Sequence, residues 1–155
     1  MPKCYQLVGV PGSGKSTWYS NQDWMQDMVY ISTDKFVEEH ARSIGKTYSE
    51  VFNDYMPTAI KLMMIEVNQA AAEQRDIVWD QTSTTWASRR RKFGSLPFYE
   101  HIAVVFETPS RIELKKRLAS RPGKEIPDSV MEGMLSGFEM PTEEEGFKEI
   151  WYAST

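Results

Sequence analysis

The chain has 155 residues, of which 41% are hydrophobic, 26% charged and 12% aromatic, a balance that excludes collagen-like, mucin-like and disordered classes. That length accommodates one core, so residues 1–155 are expected to form a single domain. A net charge of −4 argues against bulk coating of nucleic acid, no apolar run approaches the ~20 residues of a membrane span, and the start lacks a secretion signal. A cytoplasmic protein without membrane contact is expected, and the single Cys4 agrees with a reducing compartment.

In chain order, the apolar run Tyr5-Gln6-Leu7-Val8-Gly9 reads as a strand, followed by a glycine-rich turn and a helix from Ser16. A second strand is expected at Met28–Ser32, leading to Thr33 and Asp34. Helical spacing of apolar residues runs from Tyr48 to Gln74, with Pro57 expected to bend or restart the helix. A strand at Asp76–Trp79 ends on Asp80, a basic helix surrounds 87–93, and a buried strand covers Ile102–Phe106. Ser110 is placed to cap a helix to about Ser120, with Glu113 at the capping-box position. After Arg121-Pro122-Gly123-Lys124, Asp128 is placed to open a helix running to Gly137. Alternating strands and helices predict an α/β fold, a parallel sheet flanked by helices. Ligands of such sheets sit at the carboxyl ends of the strands, so Gly9, Asp34 and Asp80 should converge.

Gly9-Val10-Pro11-Gly12-Ser13-Gly14-Lys15-Ser16 satisfies G-x-x-x-x-G-K-[ST] between a strand and a helix. The pattern predicts a P-loop NTPase: the loop Pro11 to Thr17 wraps phosphates with its successive backbone N–H groups after the proline, Lys15 reaches the β and γ groups, and the Ser16 hydroxyl ligates Mg²⁺. No guanine-reading Asn-Lys-x-Asp element and no apolar strand ending in Asp-Glu is present, which leaves a compact, kinase-type phosphotransferase using ATP. Asp34 follows the second strand and is the candidate general base for an acceptor hydroxyl, the competing role being a helix N-cap. Asp80 is placed either to hold a metal-bound water or to position the acceptor. Arg89, Arg90, Arg91 and Lys92 are consecutive on one helix and lie about 100° apart, so only one or two can meet acceptor phosphates. Arg117 and Arg121 share a helix face ahead of Pro122-Gly123 and form a candidate lid over the γ-phosphate. Residues 89–124 hold ten basic and three acidic side chains, whereas 125–155 hold one and eight, so positive charge is local. His40 and His101 stand apart from other ligand types, and no zinc site is expected.

Together, GVPGSGKST at 9–17, Asp34, Asp80-Gln81-Thr82, Arg117 with Arg121, and the tail Phe138-Glu139-Met140-Pro141-Thr142-Glu143-Glu144-Glu145-Gly146-Phe147 resemble the polynucleotide 5′-kinase domain of the phage and eukaryotic enzymes. The resemblance covers nearly the whole chain, and its most restricted element is the tail. It implies transfer of the ATP γ-phosphate to the 5′-hydroxyl of DNA or RNA with Mg²⁺. It further implies that Lys15, Ser16 and Thr17 hold phosphates and metal, that Asp34 is the base, that Asp80 and Thr82 lie on the acceptor side, and that Arg117 and Arg121 belong to the lid. Arg89 is added as an acceptor-binding candidate. Two departures are present: Val37 stands where the phage enzyme has an arginine toward the acceptor phosphate, and Ser83 replaces an asparagine. No phosphatase domain, and hence no 3′ end-healing, is expected. The alternatives are a kinase of the same fold acting on a sugar or nucleoside hydroxyl, and a nucleotide-binding regulatory module.

Overall fold

In the computed structural model, which describes residues 1–153, β1 (Lys3–Val8) is the central strand of a five-stranded sheet. It pairs on one side with β3 (Ile77–Asp80) and on the other with β4 (Glu100–Phe106); β2 (Val29–Ile31) adds to β3 and β5 (Glu149–Ala153) to β4. Every pairing is parallel, giving the order β2-β3-β1-β4-β5. The expected α/β architecture is thus observed.

A strand buried on both faces needs apolar residues in both registers, and β1 supplies them. Tyr5 and Leu7 join Val78, Val104 and Phe106 on the face covered by Trp18 and Tyr19 of α1 (Lys15–Ser20). Cys4 joins Ile77 and Trp79 on the opposite face, under Met63, Val67 and Ala70 of α3 (Tyr48–Ala72). Gln6 also points there and is not orphaned at its amide nitrogen, which meets His101 Nδ1 at 3.0 Å, while His101 Nε2 lies 3.0 Å from the Leu96 carbonyl. Burial pushes the Cys4 thiol above its ordinary range and His101 below its own.

The helix α3 starts at a capping box: Glu50 N donates to Thr47 Oγ1 at 3.2 Å and Thr47 N to Glu50 Oε1 at 2.9 Å. It runs through Pro57 without the restart that proline predicts. Pro57 is exposed, and the buried stripe Val51, Ala59, Met63, Val67 and Ala70 extends on both sides of it, so packing holds one continuous helix. Helix α2 (Asp34–Ser43) packs against α3 through Val37 and Ala41. Helix α4 (Trp86–Ser95) leads into β4. Ser110 caps α5 (Arg111–Ala119) as expected, accepting from Glu113 N at 3.2 Å. Asp128 is the first residue of α6 (Asp128–Ser136) but makes no side-chain cap there. Helices α5 and α6 meet the phosphate loop through Val10, Leu114 and Met131. Strand β5 was not foreseen in the sequence. Among the described residues, no helix is long and apolar enough to cross a membrane.

Candidate active site

The loop after β1 is shaped by what its glycines avoid. A Cβ on Gly9 would stand 2.4 Å from Ser13 Oγ and 3.0 Å from Phe106 Cβ, and Gly14 turns into α1 at φ 98. Gly9 N donates to the Thr82 carbonyl at 2.9 Å, tying the loop to the segment after β3. The Lys15 ammonium folds across the loop, donating to the carbonyls of Gly9 at 2.9 Å and Val10 at 3.1 Å. Its burial lowers its pKa, and the Asp80 and Asp34 carboxylates oppose that shift while Arg121 adds to it. Three residues spread over the sequence therefore act electrostatically on one amine.

Asp80 faces the loop. Ser16 Oγ donates to Asp80 Oδ2 at 3.0 Å, and the Tyr30 hydroxyl donates to the same oxygen in a short hydrogen bond. Tyr30 is stacked on Tyr19 with ring centroids 4.5 Å apart. Burial and the Asp80 charge push the Tyr30 hydroxyl far above its ordinary range, so it remains a donor. The Asp80 carboxylate thus sits on Ser16 of the phosphate loop. Thr82 contributes its carbonyl to Gly9, as above.

Asp34 is the first residue of α2, and Thr33 occupies the cap position. Its carboxylate does not cap the helix; it is exposed and accepts from the Tyr48 hydroxyl at 2.6 Å through Oδ1. Val37, one turn later, is fully buried in the α2–α3 core, so this position offers the crevice no side chain. Ser83 is buried with φ 48, a left-handed conformation that asparagine tolerates better than serine.

In the lid, Arg117 Nε donates to Glu113 Oε1 at 3.0 Å and a terminal nitrogen to the Gly12 carbonyl at 3.0 Å, so this guanidinium rests on the phosphate loop. The Arg121 side chain has no hydrogen bond or ion pair among the described residues and stays within electrostatic reach of Lys15 and Tyr48. The basic run on α4 divides as helical geometry requires. Arg90 and Arg91 are exposed, while Lys92 is buried with its ammonium 5.3 Å from the Trp79 ring centroid.

Arg89 corrects an expectation. It is fully buried, donating to Glu145 Oε1 at 2.8 Å and Oε2 at 3.1 Å and to the Ser83 carbonyl at 2.9 Å. Fully buried and ion-paired with the tail, the guanidinium is out of reach of an acceptor phosphate. Sequence reasoning also missed Tyr30 and Tyr48, which belong to no motif. It missed as well an open cavity of about 490 Å³ at the carboxyl ends of β4 and β5, lined in part by Phe106, Phe138, Met140 and Tyr152.

The parallel sheet, the glycine loop at its central strand and the Lys15–Ser16–Asp80 cluster define a nucleotide-binding α/β protein of the P-loop kinase-like fold. The chain belongs to the AAA_33 family, described as an AAA domain, whose profile matches residues 6–141. It is similar to the bifunctional polynucleotide phosphatase/kinase of Schizosaccharomyces pombe, 26% identical over 156 residues, covering 93% of this chain and 31% of that protein. The chain thus spans less than a third of that relative. Among solved structures it is similar in fold to a sugar kinase from Janibacter sp. HTCC2649, with a TM-score of 0.66, 15% identity, and 99% of this chain and 86% of that one covered. It is likewise similar to a chain of the Pnkp1/Rnl/Hen1 complex, with a TM-score of 0.61, 24% identity, and 82% and 43% covered.

Proposed function

We propose that the protein is an ATP-dependent polynucleotide 5′-hydroxyl kinase acting on DNA or RNA ends in the cytoplasm. The feature that favours a transfer reaction, rather than nucleotide binding alone, is an exposed Asp34 carboxylate together with an Arg121 that has no hydrogen bond or ion pair among the described residues, both acting electrostatically on Lys15. A binding module needs neither. The polynucleotide acceptor is supported by the likeness to the yeast phosphatase/kinase along 93% of this chain.

In this reading Asp34 accepts the proton of the attacking hydroxyl through Oδ2, Oδ1 being occupied by Tyr48. The hydroxyl oxygen bonds to the γ-phosphorus, the bond from that phosphorus to the β,γ-bridging oxygen breaks, and ADP leaves. Lys15 and Arg121 balance the charge on the transferring group, and Arg117 holds the loop that cradles it. Ser16 and Asp80 offer two oxygen ligands of the hard type that Mg²⁺ takes, so the site fits that ion. Bound there, Mg²⁺ supplies charge neutralisation on the phosphates. The cavity between Phe106 and Tyr152 is assigned to the donor base, being apolar and next to the loop.

A second reading, transfer to an uncharged sugar or nucleoside hydroxyl, is favoured by one observation. Lys35 is paired with Glu66 and Lys124 with Glu38, and Val37 is in the core, so these positions hold no free cation for an acceptor phosphate. The deciding experiment is transfer of label from γ-labelled ATP to a 5′-hydroxyl oligonucleotide, its 5′-phosphorylated twin, and a panel of sugars and nucleosides. Label on the 5′-hydroxyl strand alone supports the first reading; label on a small molecule replaces it with the second. In either case Asp34→Ala is expected to lower kcat by about 10²–10⁴ with little change in ATP affinity.

A further inference from the structure

The base and the lid meet at one side chain. Asp34 opens α2 and Tyr48 opens α3, and the 2.6 Å hydrogen bond from the Tyr48 hydroxyl to Asp34 Oδ1 joins the two helix starts. Burial and the Asp34 charge push Tyr48 ionisation far above its ordinary range, so the hydroxyl keeps its proton and donates. With Oδ1 engaged, the carboxylate is held in rotation and Oδ2 is the oxygen left for a second partner.

The same residue supports the lid from its other side. The Lys124 ammonium lies 4.7 Å from the Tyr48 ring centroid and is ion-paired with Glu38 of α2. Around this contact the lid loop is bonded to the first turn of α3: Ser49 N donates to the Gly123 carbonyl at 2.9 Å, and Glu125 N to Ser49 Oγ at 2.6 Å. Gly123, at φ 72, lies so close to Thr47 that a Cβ there would be 3.1 Å from the threonine Cβ. Arg121 precedes these contacts by only two residues, so docking of the loop also fixes where Arg121 can reach.

We infer that Tyr48 is a positioning residue with two separable duties: its hydroxyl orients Asp34, and its ring is the seat on which the lid closes, so that base and arginine are set together. This rests on the kinase reading proposed above. A ready base is thereby coupled to a closed lid, which keeps the transferring phosphoryl from water.

Two substitutions in the full chain separate the duties. Tyr48→Phe keeps the ring and removes the hydroxyl; it is expected to lower kcat about tenfold or more, leave KM for ATP and acceptor within about twofold, and leave amide exchange at Ser49 and Glu125 as in the wild type. Lys124→Met keeps the hydroxyl and removes the docked cation; it is expected to speed exchange at those amides by about fivefold and to lower kcat. Tyr48→Phe with wild-type kcat overturns the orienting duty, and Lys124→Met with wild-type exchange overturns the seat. If the wild type labels no oligonucleotide, the polynucleotide reading fails, and the same comparison is read on the acceptor that takes label or on phosphate release from ATP to water. Unchanged turnover of Tyr48→Phe there refutes the role of Tyr48 on its own.

Discussion

Substituting Arg89 separates a structural ion pair from an acceptor contact. The side chain is 0% exposed and its Glu145 partner 4%, and three hydrogen bonds of 2.8, 3.1 and 2.9 Å hold the guanidinium. Arg89→Met leaves a buried carboxylate unpaired and the Ser83 carbonyl without its donor, a loss of about 3–5 kcal/mol. For a domain of this size each kcal/mol moves Tm by about 2–4 °C, so thermal unfolding should drop by roughly 6–20 °C. Glu145→Gln should fall less, because its amide still accepts, and the double change Arg89→Met with Glu145→Leu should recover much of the loss, since apolar groups replace a buried pair well. Circular dichroism melts give the stability, and kinetics well below both midpoints give KM for the acceptor, expected at the wild-type value. A variant that melts with the wild type but raises acceptor KM tenfold would refute the buried-pair account and return Arg89 to the acceptor side.

Asp80→Asn is expected to raise the Mg²⁺ concentration for half-maximal rate by about tenfold or more, with acceptor KM unchanged; the opposite pattern in a Mg²⁺ titration would move Asp80 to the acceptor. Arg121→Ala should lower kcat by about 10³, whereas Arg117→Ala should raise KM for ATP through the Gly12 contact; steady-state kinetics distinguish them. Burial lowers Lys92 from 10.5 to about 8, so between these values the unfolded chain holds a proton that the folded chain has released, and stability rises with pH. Denaturant titrations should show the wild type gaining on Lys92→Met by up to about 3 kcal/mol across that window; parallel curves would show that burial leaves the Lys92 ammonium unshifted.

The local signals were legible where one short segment sets both structure and chemistry. The phosphate loop is read from consecutive residues because backbone shape there requires glycine, and the apolar runs 77–79 and 102–106 mark the strands observed at 77–80 and 100–106. Strand β5 escaped because it is a short strand at the sheet edge with Glu149 and Tyr152 exposed, and its apolar run Ile150–Ala153 follows directly on the charged tail without the alternation of a half-buried strand. Arg89 looked like a phosphate ligand because its partner is 56 residues away. Tyr48 and Tyr30 meet their carboxylates across 14 and 50 residues; nothing local distinguishes such tyrosines from core aromatics. The acidic tail reads as a charge run, yet Glu145 is turned inward by Arg89, and its neighbours remain exposed.

The placement of β1 at the centre of the sheet sets the order in which this molecule can be assembled. Its two neighbours come from residues 77–80 and 100–106, so a nascent chain that has emerged only as far as Arg75 carries the full glycine motif with neither flanking strand. The amide of Gly9 also waits for Thr82. Parallel pairing of segments this far apart closes long loops before any contact rewards it. The segment that forms the phosphate loop, although it precedes both flanking strands in the chain, acquires its shape only after residues through 106 have left the ribosome, and until then the apolar β1 is without its neighbours.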